Sequence, residues 1–585
     1  MACTVTEGVR TVQFATLDPG QINPKHPAYP LPPLRLSEKT ESRSFPLITL
    51  ENEFLSVVVA PTLGGRIVEI LDKRSGEYVF NLPTALNLES GGRRGVLSPF
   101  GIQLTLDGKE RLNALAALDW TVNRSQENES VKVTLADSGS WPITFHYTYE
   151  LGEGSSEILI ETKALNRSLD LAYYNAGLIF PPDMVQIESV GQKGASCFAG
   201  LAADLILRSV ELGAVQVRER GVSATRFQRP RVIAARQLDT WSVSLAVIAK
   251  TSALPILGKE LCVSLQDAQL TLQSSVAIDP LKILVATASG ETLEANLTVR
   301  PDSPITIPLR EQDVPLQGII VLDRDRRELI RYEAGQVNPT PNHTLSPDEI
   351  FYSIPRLASS EDSLRKATFD VRTRALAHHL ISIRAIEAQD FREASFHLEQ
   401  SLLYNGEDHL TWWLKSRCET LADPLSTGGD ELLNAHYLAP LDPILKAEAL
   451  LNQPNQPGND PNPILQPLAE DRDAILLTSG ELIQAGLLND ASRLIGEWLR
   501  LQDFPMLRYL LAYCFLKGTR MKIEAGAQLK AAAASGFIAP FPVRPVEIEV
   551  LRTLAEEWPQ DPHLGQYHEL AQVFLNRSLE KAIQS

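Results

Sequence analysis

The sequence predicts a multidomain chain, all-β in its N-terminal part and all-α in its C-terminal part. Two observations carry this. Apolar and polar residues alternate from about Phe45 to Tyr332, and apolar residues recur at helical spacing after Leu364. A third observation marks the change between them: Asn338-Pro339-Thr340-Pro341-Asn342 and Ser346-Pro347 form a proline-rich break. At 585 residues the chain is too long for one hydrophobic core.

Residues 1–45 are expected to be a proline-rich arm. Pro24, Pro27, Pro30, Pro32 and Pro33 fix φ and withhold ladder donors, which predicts an extended stretch with order beginning near Phe45. A β-sandwich is expected over 46–335. In Thr144–Leu151, Phe145, Tyr147, Tyr149 and Leu151 fall on one face, and Thr144, His146, Thr148 and Glu150 on the other. Leu293, Ala295, Leu297 and Val299 alternate in the same way. Many short alternating strands with few helical segments imply packed antiparallel sheets.

A linker is expected over 336–370 and helical repeats over 371–585. Ile381, Ser382, Ala385, Ala394, Leu398 and Ser401 alternate small and large residues so that two antiparallel helices interlock. That is the tetratricopeptide pattern, with a repeat of ~34 residues. Further pairs are expected at Ile475–Ala485 with Ala491–Leu501, and at Met506–Leu516 with Ile523–Ala534. The proline-rich stretch 453–467 interrupts them. Such arrays stack into a curved surface suited to a protein partner. The last predicted helix, near Leu579 to Ile583, has no polar cap after it, which leaves self-association open as its cover.

Composition narrows the function classes. The net charge is −17, so the surface as a whole repels phosphate backbones and anionic membranes, and neither nucleic acid nor membrane is an expected partner. No apolar run approaches the ~18 residues of a membrane span, and residues 1–17 do not read as a secretory signal. The five cysteines are dispersed and form no CxxC, which fits a reducing cytoplasm and no metal site. Walker, Rossmann and GxSxG signatures are absent, and no cofactor is expected.

Several stretches together resemble a microbial family that joins a galactose-mutarotase-like β-sandwich to tetratricopeptide repeats. They are Leu50-Glu51-Asn52-Glu53-Phe54-Leu55, Pro61-Thr62-Leu63-Gly64-Gly65-Arg66-Ile67 with Asp72-Lys73, Tyr173-Tyr174-Asn175-Ala176, and Phe541-Pro542-Val543-Arg544-Pro545-Val546-Glu547-Ile548-Glu549-Val550-Leu551. The resemblance covers residues 30–180 and 315–585. It implies a mutarotase-like supersandwich followed by a tetratricopeptide solenoid, and a sugar as ligand. The sequence departs from the family at one telling place. Where the family carries a "GGIEFN" strand and a nearby histidine, this chain reads Phe100-Gly101-Ile102-Gln103-Leu104-Thr105, with Lys109 and Glu110 after it. Residues 181–300 contain a single tryptophan, Trp241, and none of the family's sugar-pocket motifs.

Five residues are candidates for carbohydrate binding: Arg66, Gln103, Tyr173, Tyr174 and Asn175. Gly64-Gly65 permits a tight bend, from which Arg66 either reaches a ligand with its planar fork or pairs at the surface with Glu69 or Asp72. The Gln103 amide can hold a sugar hydroxyl but cannot act as a general acid–base group. Tyr173, Tyr174 and Asn175 offer a stacking platform, or a half-buried strand with one tyrosine in the core. His146 and Glu150 lie about 13 Å apart on one strand face and read as solvated. His378 and His379 point about 100° apart and do not share a ligand face. Of Trp412 and Trp413, one is expected in the core. Catalytic residues are not assignable. The expected function is carbohydrate recognition, with a tetratricopeptide scaffold and an active glycosidase or epimerase as alternatives.

Overall fold

A computed structural model describes residues 3–572 apart from 20–33, 87–88, 91–95, 98–99, 107–117, 126–128, 138–142, 170–171, 175, 182, 188, 192–194, 210–213, 219–220, 226–230, 252–254, 336–359, 372, 424–425, 427, 452–470, 539, 541 and 543. Through Glu333 the described elements are almost all strands, and from Glu361 they are helices, as the two periodicities require.

Two sheets enclose the first core. One is six-stranded, with the order Glu77–Phe80, Arg66–Asp72, Leu55–Ala60, Leu34–Glu51, Thr4–Pro19, Ala85–Leu86. The other is eight-stranded and runs Asp119–Arg124, Ser130–Asp137, Ile143–Gly152, Glu157–Asn166, Leu238–Ala249, Ala203–Arg208, Ala195–Ala199, Val185–Ile187. Leu50, Val57 and Ile67 from the first meet Phe145, Tyr147, Tyr149 and Leu245 from the second, all excluded from water. The alternation read in Thr144–Leu151 is therefore correct on its apolar side.

The expected N-terminal arm is different in the structure. Thr4–Pro19 pairs antiparallel with Leu34–Glu51, from Thr4 opposite Glu51 to Pro19 opposite Leu34. The sheet begins at residue 4, not near Phe45; the prolines of 24–33 lie outside the described residues. The physical reason is that Val5, Val12 and Phe14 are buried, so this segment has an apolar face of its own to cover.

The long β run also holds a second core. The strands Leu261–Gln266 and Gln269–Ser274 pack against Ile278–Ala286, Thr292–Val299 and Gly318–Leu322. Leu261, Val263, Leu272, Ile283, Val299 and Val321 are buried there, separately from the first core. The single large sandwich expected over 46–335 is thus two β units in sequence.

The helices form pairs: Arg374–Glu387 with Phe391–Tyr404, His409–Ala422 with Gly429–Leu438, Arg472–Gln484 with Leu488–Leu501, and Pro505–Cys514 with Lys522–Ala534. Ile381, Ser382, Ala385, Ala394, Leu398 and Ser401 are all buried, as the interlocking pattern demands. Asp390, Asp408 and Asp471 cap their helices by accepting backbone N–H groups, which fixes the starts of Phe391–Tyr404, His409–Ala422 and Arg472–Gln484. Trp413 is in the core, while Trp412 is half-buried and donates to the Gly406 carbonyl.

Candidate functional site

The Gly64-Gly65-Arg66 turn is fixed from the opposite sheet. Gly64 and Gly65 adopt φ of 75° and 65°, and Tyr147 and Tyr149 donate their hydroxyls to the carbonyls of Gly64 and Gly65 at 3.2 and 2.9 Å. A Cβ on Gly65 would sit 2.2 Å from Tyr147 Oη. The turn thus needs glycine for both conformation and space.

Arg66, set by this turn, lies wholly inside. Its Nε donates to the Leu63 carbonyl at 2.8 Å, Nη1 to the Phe100 carbonyl at 2.8 Å and Nη2 to Gln103 Oε1 at 3.0 Å. Its guanidinium also covers the Phe100 ring at 4.3 Å. Neither expected carboxylate partner holds it: Glu69 pairs with Arg10, and Asp72 with Arg74. Arg66 is neither a surface arginine nor an exposed ligand hook. Its fork is spent on two carbonyls and one amide.

Gln103 is 4% exposed, on the strand Gln103–Leu106 that pairs with Ala176–Ile179. Because its oxygen accepts from Arg66, its Nε2 must face the other way. That Nε2 is buried without a hydrogen-bond partner among the described residues. Leaving a buried donor unmade costs about 1–3 kcal/mol, so the arrangement calls for explanation.

The aromatic candidates stand elsewhere. Tyr174 is buried, packs edge-on to Phe145 and donates its hydroxyl to Asp239. It lies on the strand Ala172–Tyr174, which pairs with Arg231–Ile233, whereas Gln103 is on the strand that pairs with Ala176–Ile179 in a different sheet. The structure brings Arg66 and Gln103 together and leaves Tyr174 apart. Tyr173 pairs with Val232 through its backbone, and Asn175 lies outside the described residues.

A second polar centre lies where the β region meets the helices. Arg167, just past the strand Glu157–Asn166, reaches Glu481 Oε1 at 3.1 Å through Nε and pairs with Asp442 through Nη1. Arg236 Nη2 is 3.4 Å from Glu481 Oε2 and 3.4 Å from His379 Nε2. His409 Nε2 meets Asp442 at 2.8 Å, and the His146 ring lies 6.4 Å from that of His409. His379 Nδ1 meets the Thr411 hydroxyl at 3.0 Å, and that hydroxyl donates to Asp408 at 2.6 Å. Asn405 donates to the Arg236 carbonyl at 2.8 Å.

Burial sets the charge states here. It lowers the pKa of His146 to about 4; Asp442 opposes this, while His409, Arg167 and Lys163 reinforce it. It lowers that of His379 to about 3, with Arg236 adding to the effect. Burial disfavours the Arg167 cation, but Asp442 and Glu481 overcome it and raise its pKa. Burial would raise the Asp442 carboxyl; Arg167 and His409 outweigh it and hold that carboxyl well below its usual range. At neutral pH two neutral imidazoles flank a buried ion-pair network.

Sequence reasoning missed this centre. His146 was expected to be solvated and is instead half-buried, with its ring beside that of His409. His378 and His379 do part company: His378 Nδ1 meets His397 Nδ1 at 2.8 Å, and His379 turns to the junction. The available signal was Glu481, a carboxylate inside the apolar helix Arg472–Gln484, which demanded a buried cation. Among the described residues no group of three or more His, Cys, Asp or Glu side chains is placed to hold a metal, and no helix is long and apolar enough to cross a membrane.

Three comparisons bear on this geometry. No curated protein matches the chain. A solved tetratricopeptide-repeat-domain-containing protein from Parabacteroides distasonis is similar over 95% of this chain and 96% of its own, at 11% identity and a TM-score of 0.37. A putative aldose 1-epimerase from Escherichia coli aligns with 34% of this chain and 98% of its own (11% identity, TM-score 0.24), and galactose 1-epimerase from Lactobacillus acidophilus with 41% and 99% (11% identity, TM-score 0.25). At these TM-scores the likeness is too distant to carry an argument about function. Residues 24–162, in the β region, match the family described as Domain of unknown function (DUF5107).

Proposed function

We propose that the β region is a carbohydrate-recognising module and that the helical array couples it to a protein partner. The observation that carries the first part is Gln103. Arg66 fixes its amide orientation, and its Nε2 is left as a preset donor without a partner among the described residues. A sugar hydroxyl or ring oxygen is the kind of acceptor that satisfies such a donor. Fixing the donor beforehand lowers the ordering cost of binding.

Recognition without turnover is the chemistry this arrangement supports. Glycoside hydrolysis uses two carboxyls at defined separation, and mutarotation uses an acid and a base poised near neutrality. An amide held by a guanidinium supplies neither. The five buried free cysteines suit a reducing compartment, and we place the protein in the cytoplasm.

A purely structural sandwich is the second reading. The burial of Arg66 and the Tyr174–Asp239 hydrogen bond favour it. A glycan-array screen of the full chain, with aryl-glycoside hydrolysis and aldose-anomerisation assays beside it, separates the readings. Saturable glycan binding without turnover supports recognition. No binding supports the scaffold, and robust turnover contradicts both.

A further inference from the structure

Gln103 lies at one edge of a four-stranded sheet whose two faces differ in kind. The strand order is Ala214–Arg218, Gly221–Thr225, Ala176–Ile179, Gln103–Leu106. Ile179 pairs with Gln103 on one side and with Ser223 on the other, and Ser223 pairs in turn with Gln216. Residues directly opposite across a sheet share a face, as do residues two apart along a strand. Gln103, Ser223 and Gln216 therefore occupy positions on one face, together with Thr225 and Arg218. The register gives the other face to Leu104, Leu178, Ala224 and Val215. Leu104 and Leu178 belong to the first core, so the Gln103 face is the one turned away from it. A polar face open to water would have its groups satisfied there. Gln103 is instead 4% exposed with Nε2 unpartnered among the described residues.

Charge sets this end of the sheet apart from the rest of the chain. Over residues 214–233 the sequence carries five arginines, Arg218, Arg220, Arg226, Arg229 and Arg231, against one carboxylate, Glu219. The chain as a whole has a net charge of −17, so this segment is a local inversion of sign. Arg220, Arg226 and Arg229 lie outside the described residues; Arg218 ends the outermost strand of the sheet. All the cations of the segment are arginine and none is lysine. A guanidinium presents paired donors that match an oxyanion, which an ammonium does not. Gln103 and Gln216 are three strands apart, about 14 Å at the usual spacing, and Arg218 is about 7 Å further along its strand. That span exceeds one sugar ring and suits a short chain of them.

We propose that the ligand of the Gln103 face is an acidic oligosaccharide. The amide takes a hydroxyl or ring oxygen of one sugar residue, and Arg218 pairs with an oxyanion, carboxylate or sulfate, on another. The proposal rests on the carbohydrate reading above and narrows it. It also accounts for the local inversion of sign: a positive segment captures an anionic glycan that the rest of the surface repels.

The test screens the full chain on an array of neutral, uronic-acid and sulfated oligosaccharides and then titrates the strongest hit. We expect the hits to be acidic, their class naming the oxyanion. Arg218→Gln should weaken the strongest by at least about 10-fold, the worth of one charge-assisted pair, and Arg218→Lys by less. Hits confined to neutral glycans overturn the proposal and leave carbohydrate recognition standing, whereas an array without any hit removes both. An acidic hit held equally well by the wild type and by folded Arg218→Gln also overturns it. Should Arg218→Gln not fold, the wild type is titrated with a uronate hit and its carboxyl-reduced form, or with a sulfated hit and its desulfated form. Binding of the neutral form at least about 10-fold weaker supports the proposal, and equal binding overturns it.

Discussion

Arg167 Nε lies 3.1 Å from Glu481 Oε1, with the two side chains 1% and 4% exposed, and this contact ties the β region to the helices across 314 residues of sequence. Removing one partner strands the other as a buried charge. Arg167→Ala is therefore expected to cost about 3–5 kcal/mol. Differential scanning calorimetry checks it, and the lost coupling appears as a transition that broadens or splits in two. An unchanged midpoint contradicts the account of the junction.

Acid should loosen the same junction. In the folded protein burial lowers the pKa of the half-buried His146 to about 4 and of the buried His379 to about 3, against an ordinary 6.5. Docking stability from a depressed histidine is fully present above pH 6.5 and is lost as pH falls toward 4, because only the exposed imidazole takes up the proton. His146 faces Asp442, His409, Arg167 and Lys163; His379 faces Arg236 and Asp408. At pH 5 the loss is at most about 2 kcal/mol per histidine. Amide exchange at residues 143–149 and 409–417 should rise between pH 6.5 and 5 after correction for intrinsic rates. Protection that does not change over that interval counts against it.

Gly65→Ala tests the turn that sets Arg66. Its Cβ would meet Tyr147 Oη at 2.2 Å, in a backbone conformation with φ of 65°. Clash and strain together predict a loss of about 2–4 kcal/mol in urea unfolding. Gly290→Ala has an open neighbourhood and a φ of 83°, and so isolates the backbone part at about 1 kcal/mol. Equal costs at the two positions would falsify the steric role of Tyr147.

Tyr174 is in the core rather than on a binding platform. Its ring packs on Phe145 and its hydroxyl is held by Asp239. Tyr174→Ala should lower stability by about 3–5 kcal/mol, as large aromatic truncations do. A variant that melts like the wild type while losing ligand binding would restore the platform instead.

Much of the fold was legible because periodicity reports burial directly. Phe145, Tyr147 and Tyr149 were placed on an inner face by alternation alone, and Ile381, Ala394 and Leu398 by helical spacing. The N-terminal strand was not, since the prolines that follow it in sequence, Pro24 to Pro33, drew the whole of 1–45 into one arm and obscured the apolar positions Val5, Val12 and Phe14. Site residues were legible as residues but not as neighbours. Arg66 and Gln103 adjoin because Ile67 and Ile102 bridge two strands, a pairing that no local pattern encodes. His146 looked solvated because alternation distinguishes two faces of a strand without saying what covers the second. The helix carrying His409, whose ring lies beside it, arrives more than 200 residues later.

The central claim is that the Gln103 amide, fixed by Arg66, reads a sugar. Isothermal titration of the best glycan from an array screen, against wild type and Gln103→Leu, tests it most directly. Gln103→Leu removes the buried donor and also the oxygen that accepts from Arg66 Nη2, so a stability loss of about 1–3 kcal/mol is expected and the titration is read on protein shown to be folded. The account predicts at least about a 10-fold loss of affinity, the worth of one well-placed hydrogen bond. Equal affinity in the two proteins, or no glycan bound by the wild type at all, contradicts it.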